Sequence, residues 1–123
     1  MNAVLAYLSA GLIAMWGIAH AIPTGQVLAG FKPISRDNRR IVQQEWLAEA
    51  FTMWGLAAVV IAASAAGGAM TDTRAWVYRA VAVLLIGLAV LTALTGARTA
   101  VIWFKICVAL LTSCAVLLLV ASF

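Results

Sequence analysis

The sequence predicts an all-α integral membrane protein, a bundle of four transmembrane helices. Three observations predict it. Hydrophobic residues make up 66% of the 123 positions and charged residues 10%, where an ordinary soluble domain carries roughly 25% charge. A soluble chain of this length has too little interior to hide so much apolar side chain. The apolar residues also gather in four runs, each near the roughly 20 residues that cross a hydrocarbon core. The runs are continuous rather than alternating, which excludes a transmembrane barrel. Their apolar content excludes disorder.

The four spans form a single domain over 1–123. The first covers about residues 3–22 and stops at Pro23, with Gly25 just beyond. It lacks a basic leader, and residues 21–25 make a poor cleavage site, so it reads as a retained span rather than a signal peptide. The second span covers about 46–66 and stops at Gly67-Gly68. Its helix is expected to begin earlier, near Ser35 as N-cap, with Asp37 favouring the helix N-terminus. Residues 36–44 would then project out of the membrane. Residues 24–33 are expected to form a folded interfacial loop. Gly25, Gly30 and Pro33 punctuate it, and Val27, Leu28 and Phe31 are apolar enough to dip among headgroups.

The third span covers about 75–95 and stops at Gly96; the fourth covers about 100–121. The turn between them is short, so they should be antiparallel neighbours. Ala57, Ala58, Ala62, Ala63 and Gly87 are small enough for helices to approach closely in lipid. Cys107 and Cys114 stand two turns apart on one helix, about 10 Å. That is too far for a disulfide, and they read as small apolar helix residues.

The net charge of +4 sits beside the apolar runs, where it orients the chain and meets anionic lipid. No phosphate-binding glycine loop, zinc-finger spacing or RNA-binding aromatic motif is present, so no nucleic-acid partner is expected. Lys32, Arg36, Arg39, Arg40, Arg98 and Lys105 fall on one side, and only Arg74 and Arg79 on the other. This imbalance puts the first loop in the cytoplasm and both termini outside, in a bacterial inner membrane. Trp76 and Tyr78 suit an outer aromatic belt, and Trp16, Trp46 and Trp103 an inner one.

Ionisable residues near the hydrocarbon are costly, so function is sought there. His20, at the end of the first span, and Glu45 and Glu49, at the start of the second, share one depth and are the candidate catalytic residues. Asn38, Glu45, Glu49 and Thr52 follow spacings of seven, four and three, which places them on one helix face. Two carboxylates at i,i+4 repel when both are ionised, and burial disfavours the charged form. The pair should therefore hold a proton or recruit a cation such as Arg98, Arg40 or His20. A mobile proton is what acid–base chemistry requires. The alternative is structural: Glu45 among headgroups, Glu49 in an interhelical bridge, His20 on a free helix-end carbonyl.

Asn38, Thr52, Arg98, Trp16, Trp46, Trp54 and Trp103 are the candidate substrate-binding residues. Trp54 lies deeper than the aromatic belt and is expected to line a cavity. Aromatic faces beside a carboxylate can cradle a cationic centre. Arg36, Arg39 and Arg40 are candidate headgroup ligands, although orientation alone also accounts for them. No metal or other cofactor is expected, because the Glu-x-x-His pattern of carboxylate-bridged bundles is absent.

Two families share the four-span plan. Small multidrug resistance transporters carry a carboxylate within the first span, and this first span has none. Asn38-Arg39-Arg40 through Glu45 is similar to the opening of the second helix in membrane-associated eicosanoid and glutathione metabolism enzymes. The spacing differs, and no residue role carries over from either family. The expected function is an enzyme performing isomerisation, cyclisation or epoxide opening on a lipid-soluble isoprenoid or sterol-like substrate at the interface. A proton-coupled transporter subunit is the alternative, though its site should lie near the midplane. A non-catalytic accessory or assembly protein is another. Membrane lipid is the expected surrounding partner, and the wide apolar faces leave room for a homo-oligomer.

Overall fold

The computed structural model describes residues 2–67 and 71–123. Five α-helices follow in order: α1 (Asn2–Ala21), α2 (Thr24–Gly30), α3 (Arg36–Ala65), α4 (Asp72–Leu94) and α5 (Ile102–Ala121), with a 3-10 turn at Gly96–Arg98 before α5. No strand occurs among the described residues. Four stretches are long and apolar enough to cross a membrane: Ala3–Ala21, Arg36–Ala65, Asp72–Arg98 and Ile102–Ala121. Large apolar side chains such as Met15, Phe51, Val83, Val90 and Val116 face outward, as they do where lipid rather than water is the solvent.

Local chemistry sets the helix limits. Ser35 caps α3, its hydroxyl accepting from the Asn38 N–H at 3.1 Å. Thr71 caps α4 in the same way, accepting from Arg74 N–H at 3.3 Å. That cap starts α4 at Asp72, three residues before the apolar run suggests. At the end of α3, Gly67 adopts φ +71°, a left-handed turn that glycine takes without steric cost. Gly68 lies outside the described residues. Residues 24–30, expected as an interfacial loop, are instead the two-turn helix α2. Thr24 Oγ1 donates to Ala21 O at 2.5 Å, and Val27 N–H bonds Pro23 O at 3.0 Å. Pro23 precedes the first turn, where its missing N–H costs nothing.

The core is a set of four matching stripes. On α3, Ala50, Met53, Ala57, Val60 and Ser64 are buried at alternating intervals of three and four. On α4 the stripe is Tyr78, Val81, Ala82, Leu85 and Ala89; on α5 it is Cys107, Leu111, Cys114, Ala115 and Leu118. α1 contributes Ala6, Ala10 and Ile13. Such intervals suit helices packed at a shallow angle. α1 lies against α3 and α5, and α4 against α5. Ser9 Oγ donates to Cys114 O at 3.0 Å across the α1–α5 seam.

Of the neighbouring long helices, α3 and α4 touch least. They meet near their connection, where Ser64 Oγ and Tyr78 Oη are 2.6 Å apart and buried. Ser64 already donates to Val60 O at 2.7 Å, so its one proton is used and Tyr78 is the donor of the pair. Tyr78→Phe removes that donor without orphaning Ser64. A loss of about 1 kcal/mol is expected, measurable as a lower melting temperature in detergent. An unchanged midpoint would mean the bond adds nothing to the α3–α4 junction. Arg74 closes the same end by donating to Gly67 O.

Candidate functional site

Away from that junction α3 and α4 part, and a cavity of about 1010 Å³ opens between them. It is walled by the last turns of α1, the first half of the apolar part of α3, the end of α4 and the start of α5, with Gln26 and Val27 of α2 also on the wall. The wall is largely apolar, through residues such as Val27, Phe31, Leu88, Leu91 and Phe104. Gly96 allows the 3-10 turn to sit on Phe104, because a Cβ there would stand 2.7 Å from the ring.

His20, Glu45 and Glu49 all line this cavity. His20 comes from the end of α1 and meets α3 through a reciprocal contact. Its Nε2 lies 3.1 Å from Trp46 O, and Trp46 Nε1 donates to His20 O at 2.9 Å. The two rings stack with centroids 4.0 Å apart and planes 17° apart. Glu49, one turn further along α3, places Oε2 3.4 Å from the same His20 Nε2. A carbonyl can only accept, so Nε2 carries the hydrogen. In neutral imidazole the lone pair is then on Nδ1, and among the described residues no protein group bonds Nδ1. The His20 side chain is only 9% exposed, so this geometry is held by packing as well as by hydrogen bonds.

Glu45 lies on the cavity wall but is exposed and has no ionic partner among the described residues. The group beside Glu49 is the His20 ring, and among the described residues neither Arg98 nor Arg40 pairs with either glutamate. Arg40 faces Asp37 at 4.0 Å, with both side chains exposed. Thr52 reaches the wall while its hydroxyl donates to Ala48 O at 2.8 Å. Asn38 lies on the same helical face one turn outside the lining. Arg36 and Arg40 point from other faces of α3, and Arg39 flanks the cavity side.

Trp16, Trp46 and Trp103 line the cavity; Trp54 does not. The indole of Trp54 instead crosses to α1, donating from Nε1 to Ala14 O at 3.2 Å. It lies over Gly17, where a Cβ would come within 2.6 Å of Nε1, and meets Phe51 edge-on at 5.2 Å. Depth along the sequence suggested a lining role, but the direction of the side chain makes Trp54 a brace between α1 and α3.

Several wall residues escaped sequence reasoning. Gln26, Val27 and Phe31 arrive through α2, which carries no ionisable residue to mark it. Leu88, Leu91, Thr92 and Thr95 follow a helical spacing on α4, a signal shared with any buried stripe. Cys107 faces the cavity from α5. Among the described residues no three His, Cys, Asp or Glu side chains gather to hold a metal ion. The arrangement offers a largely apolar chamber lined by a histidine whose Nδ1 no protein group bonds among the described residues, a carboxylate 3.4 Å from that ring's Nε2, and a second, exposed carboxylate. No known family matches the chain, and neither a curated protein nor a solved structure is detectably similar to it.

Proposed function

We propose that the protein is an integral membrane enzyme that binds a lipid-soluble molecule in this cavity and moves a proton on it. The observation that carries the reading is the single histidine: Nε2 is engaged by Trp46 O and Glu49, which leaves Nδ1 unbonded on a residue that lines an apolar chamber. His20 accepts a proton from the bound molecule at Nδ1. Glu49, beside the ring, stabilises the imidazolium that forms, the role a carboxylate takes behind a general-base histidine. Return of that proton to a different carbon is an isomerisation; its delivery to an alkene or epoxide begins a cyclisation or ring opening. Glu45 exchanges the proton with water at the mouth. The parted α3 and α4 give an apolar molecule a lateral route in from the bilayer. The excess of Lys and Arg at this end favours a cytoplasmic face for it.

Extraction of the purified protein followed by mass spectrometry tests the reading. An apolar molecule enriched over bulk lipid is expected. Ala48→Phe, which fills the gap between α3 and α4, is expected to lose it. Bulk lipid alone in the wild type, or equal retention in Ala48→Phe, counts against a binding cavity.

A further inference from the structure

The rim of the cavity carries a charge pattern that its wall does not. Lys32 directly follows Phe31, a wall residue; Arg98 lies between the wall residues Gly96 and Val101. Arg39 precedes the wall residues Val42 and Trp46 by three and seven positions, which puts all three along one side of α3. All three cations are exposed, and none has an anionic partner among the described residues. Three separate segments therefore carry a cation without an anionic partner within one to three residues of the wall along the chain, although none of the three side chains lines it: the link after α2, the first turns of α3 and the 3-10 turn. Against them stand the two wall carboxylates Glu45 and Glu49, the second 3.4 Å from His20 Nε2. Asn38 adds an amide on the cavity face of α3, one turn outside the wall.

We propose that the cavity takes a single-chain amphiphile with an anionic head, a phosphate or a carboxylate, held at the rim by Lys32, Arg39 and Arg98 while the chain lies in the chamber. The proposal rests on the cavity reading above and names the class of molecule it admits. A volume of about 1010 Å³ is at the upper end for small-molecule sites and accommodates a long hydrocarbon chain. Arginine suits the head because its planar fork matches phosphate and carboxylate oxygens in pairs. Orientation in the membrane asks only for positive charge on this side. It does not ask for cations beside the wall in three separate segments, and Arg36 and Arg40 already supply that charge from other faces of α3.

The test is binding to the full chain in a neutral detergent, read by tryptophan fluorescence, since Trp16, Trp46 and Trp103 face the cavity. Dodecyl phosphate, dodecanol and dodecyltrimethylammonium share one chain and differ in the head. Dodecyl phosphate is expected to bind about tenfold or more tighter than dodecanol, with the advantage falling as salt rises. In the triple variant K32Q/R39Q/R98Q that advantage is expected to vanish while dodecanol binds as before; this variant alters only exposed side chains. A preference that survives the triple variant, or no preference in the wild type while dodecanol still binds, overturns the head assignment and leaves the cavity reading intact. Tighter binding of the ammonium probe overturns it in favour of Glu45 as the head partner. Inorganic phosphate displacing the dodecyl probe at equal concentration overturns it too, because the chain would then contribute nothing. Displacement by lysophosphatidylglycerol, with loss of that displacement in the triple variant, supports it with a membrane lipid as the source of the head. Failure of all three probes to bind sinks the cavity reading itself.

Discussion

His20→Gln is expected to lower turnover of the cavity's substrate by about a hundredfold to ten-thousandfold, the range that general acid–base groups contribute. Glutamine can still donate to Trp46 O, so the α1–α3 contact is largely kept while the titrating nitrogen is lost. Glu49→Gln is expected to reduce turnover less, because it removes the charge beside the ring and leaves Nδ1 in place. A structural readout accompanies both. His20 is the only histidine in the chain, so ¹⁵N-histidine labelling reports on this ring alone. The hydrogen is expected on Nε2 and the lone pair on Nδ1, as the 3.1 Å contact with Trp46 O requires. A spectrum with the hydrogen on Nδ1 would remove the proposed base, and full turnover in His20→Gln would remove the histidine from the chemistry.

Gly17→Ala is expected to destabilise the protein by about 1–3 kcal/mol, the usual cost of forcing extra volume into a packed seam. The new Cβ would lie 2.6 Å from Trp54 Nε1, 2.9 Å from its Cδ1 and 3.2 Å from Met53 Cβ. The indole cannot retreat without losing its bond to Ala14 O, and Met53 is buried. Gly55→Ala on α3 is the matched control, since nothing lies within 4 Å of its Cβ position. There alanine is expected to be neutral or stabilising by up to roughly 1 kcal/mol through helix propensity. Gly17→Ala should lower the melting temperature and Gly55→Ala should not, and a rise in both would mean that propensity outweighs the contact at Gly17. Because Gly17 lies one turn before His20, the strain should also displace the imidazole from Glu49.

Much of the scaffold was legible in the chain. Four uninterrupted apolar runs need nothing beyond their length and composition to be read as long helices, and Ser35 marks a helix start by the ordinary chemistry of an N-cap. His20 and Glu49 could be set at one depth because each lies a countable distance from a span's end. Depth is one coordinate, however, and a site needs direction as well. Trp54 shows the difference: its depth suggested the cavity, yet its side chain turns to Ala14 and Gly17. α2 was missed because two glycines in seven residues argue against a helix, and capping bonds at Ala21 and Pro23 outweigh that preference.

Composition by itself determined the solvent this chain expects, the number of long helices and the few ionisable groups near their ends, because those follow from transfer energies and local hydrogen bonding. Only the tertiary structure decided that His20 meets Trp46 and Glu49, that Glu45 has no ionic partner among the described residues, and that α3 and α4 separate into a chamber. Those outcomes depend on how each helix is rotated about its axis. That rotation is set by steric fits such as Trp54 over Gly17, between residues far apart in the chain, which no local pattern encodes.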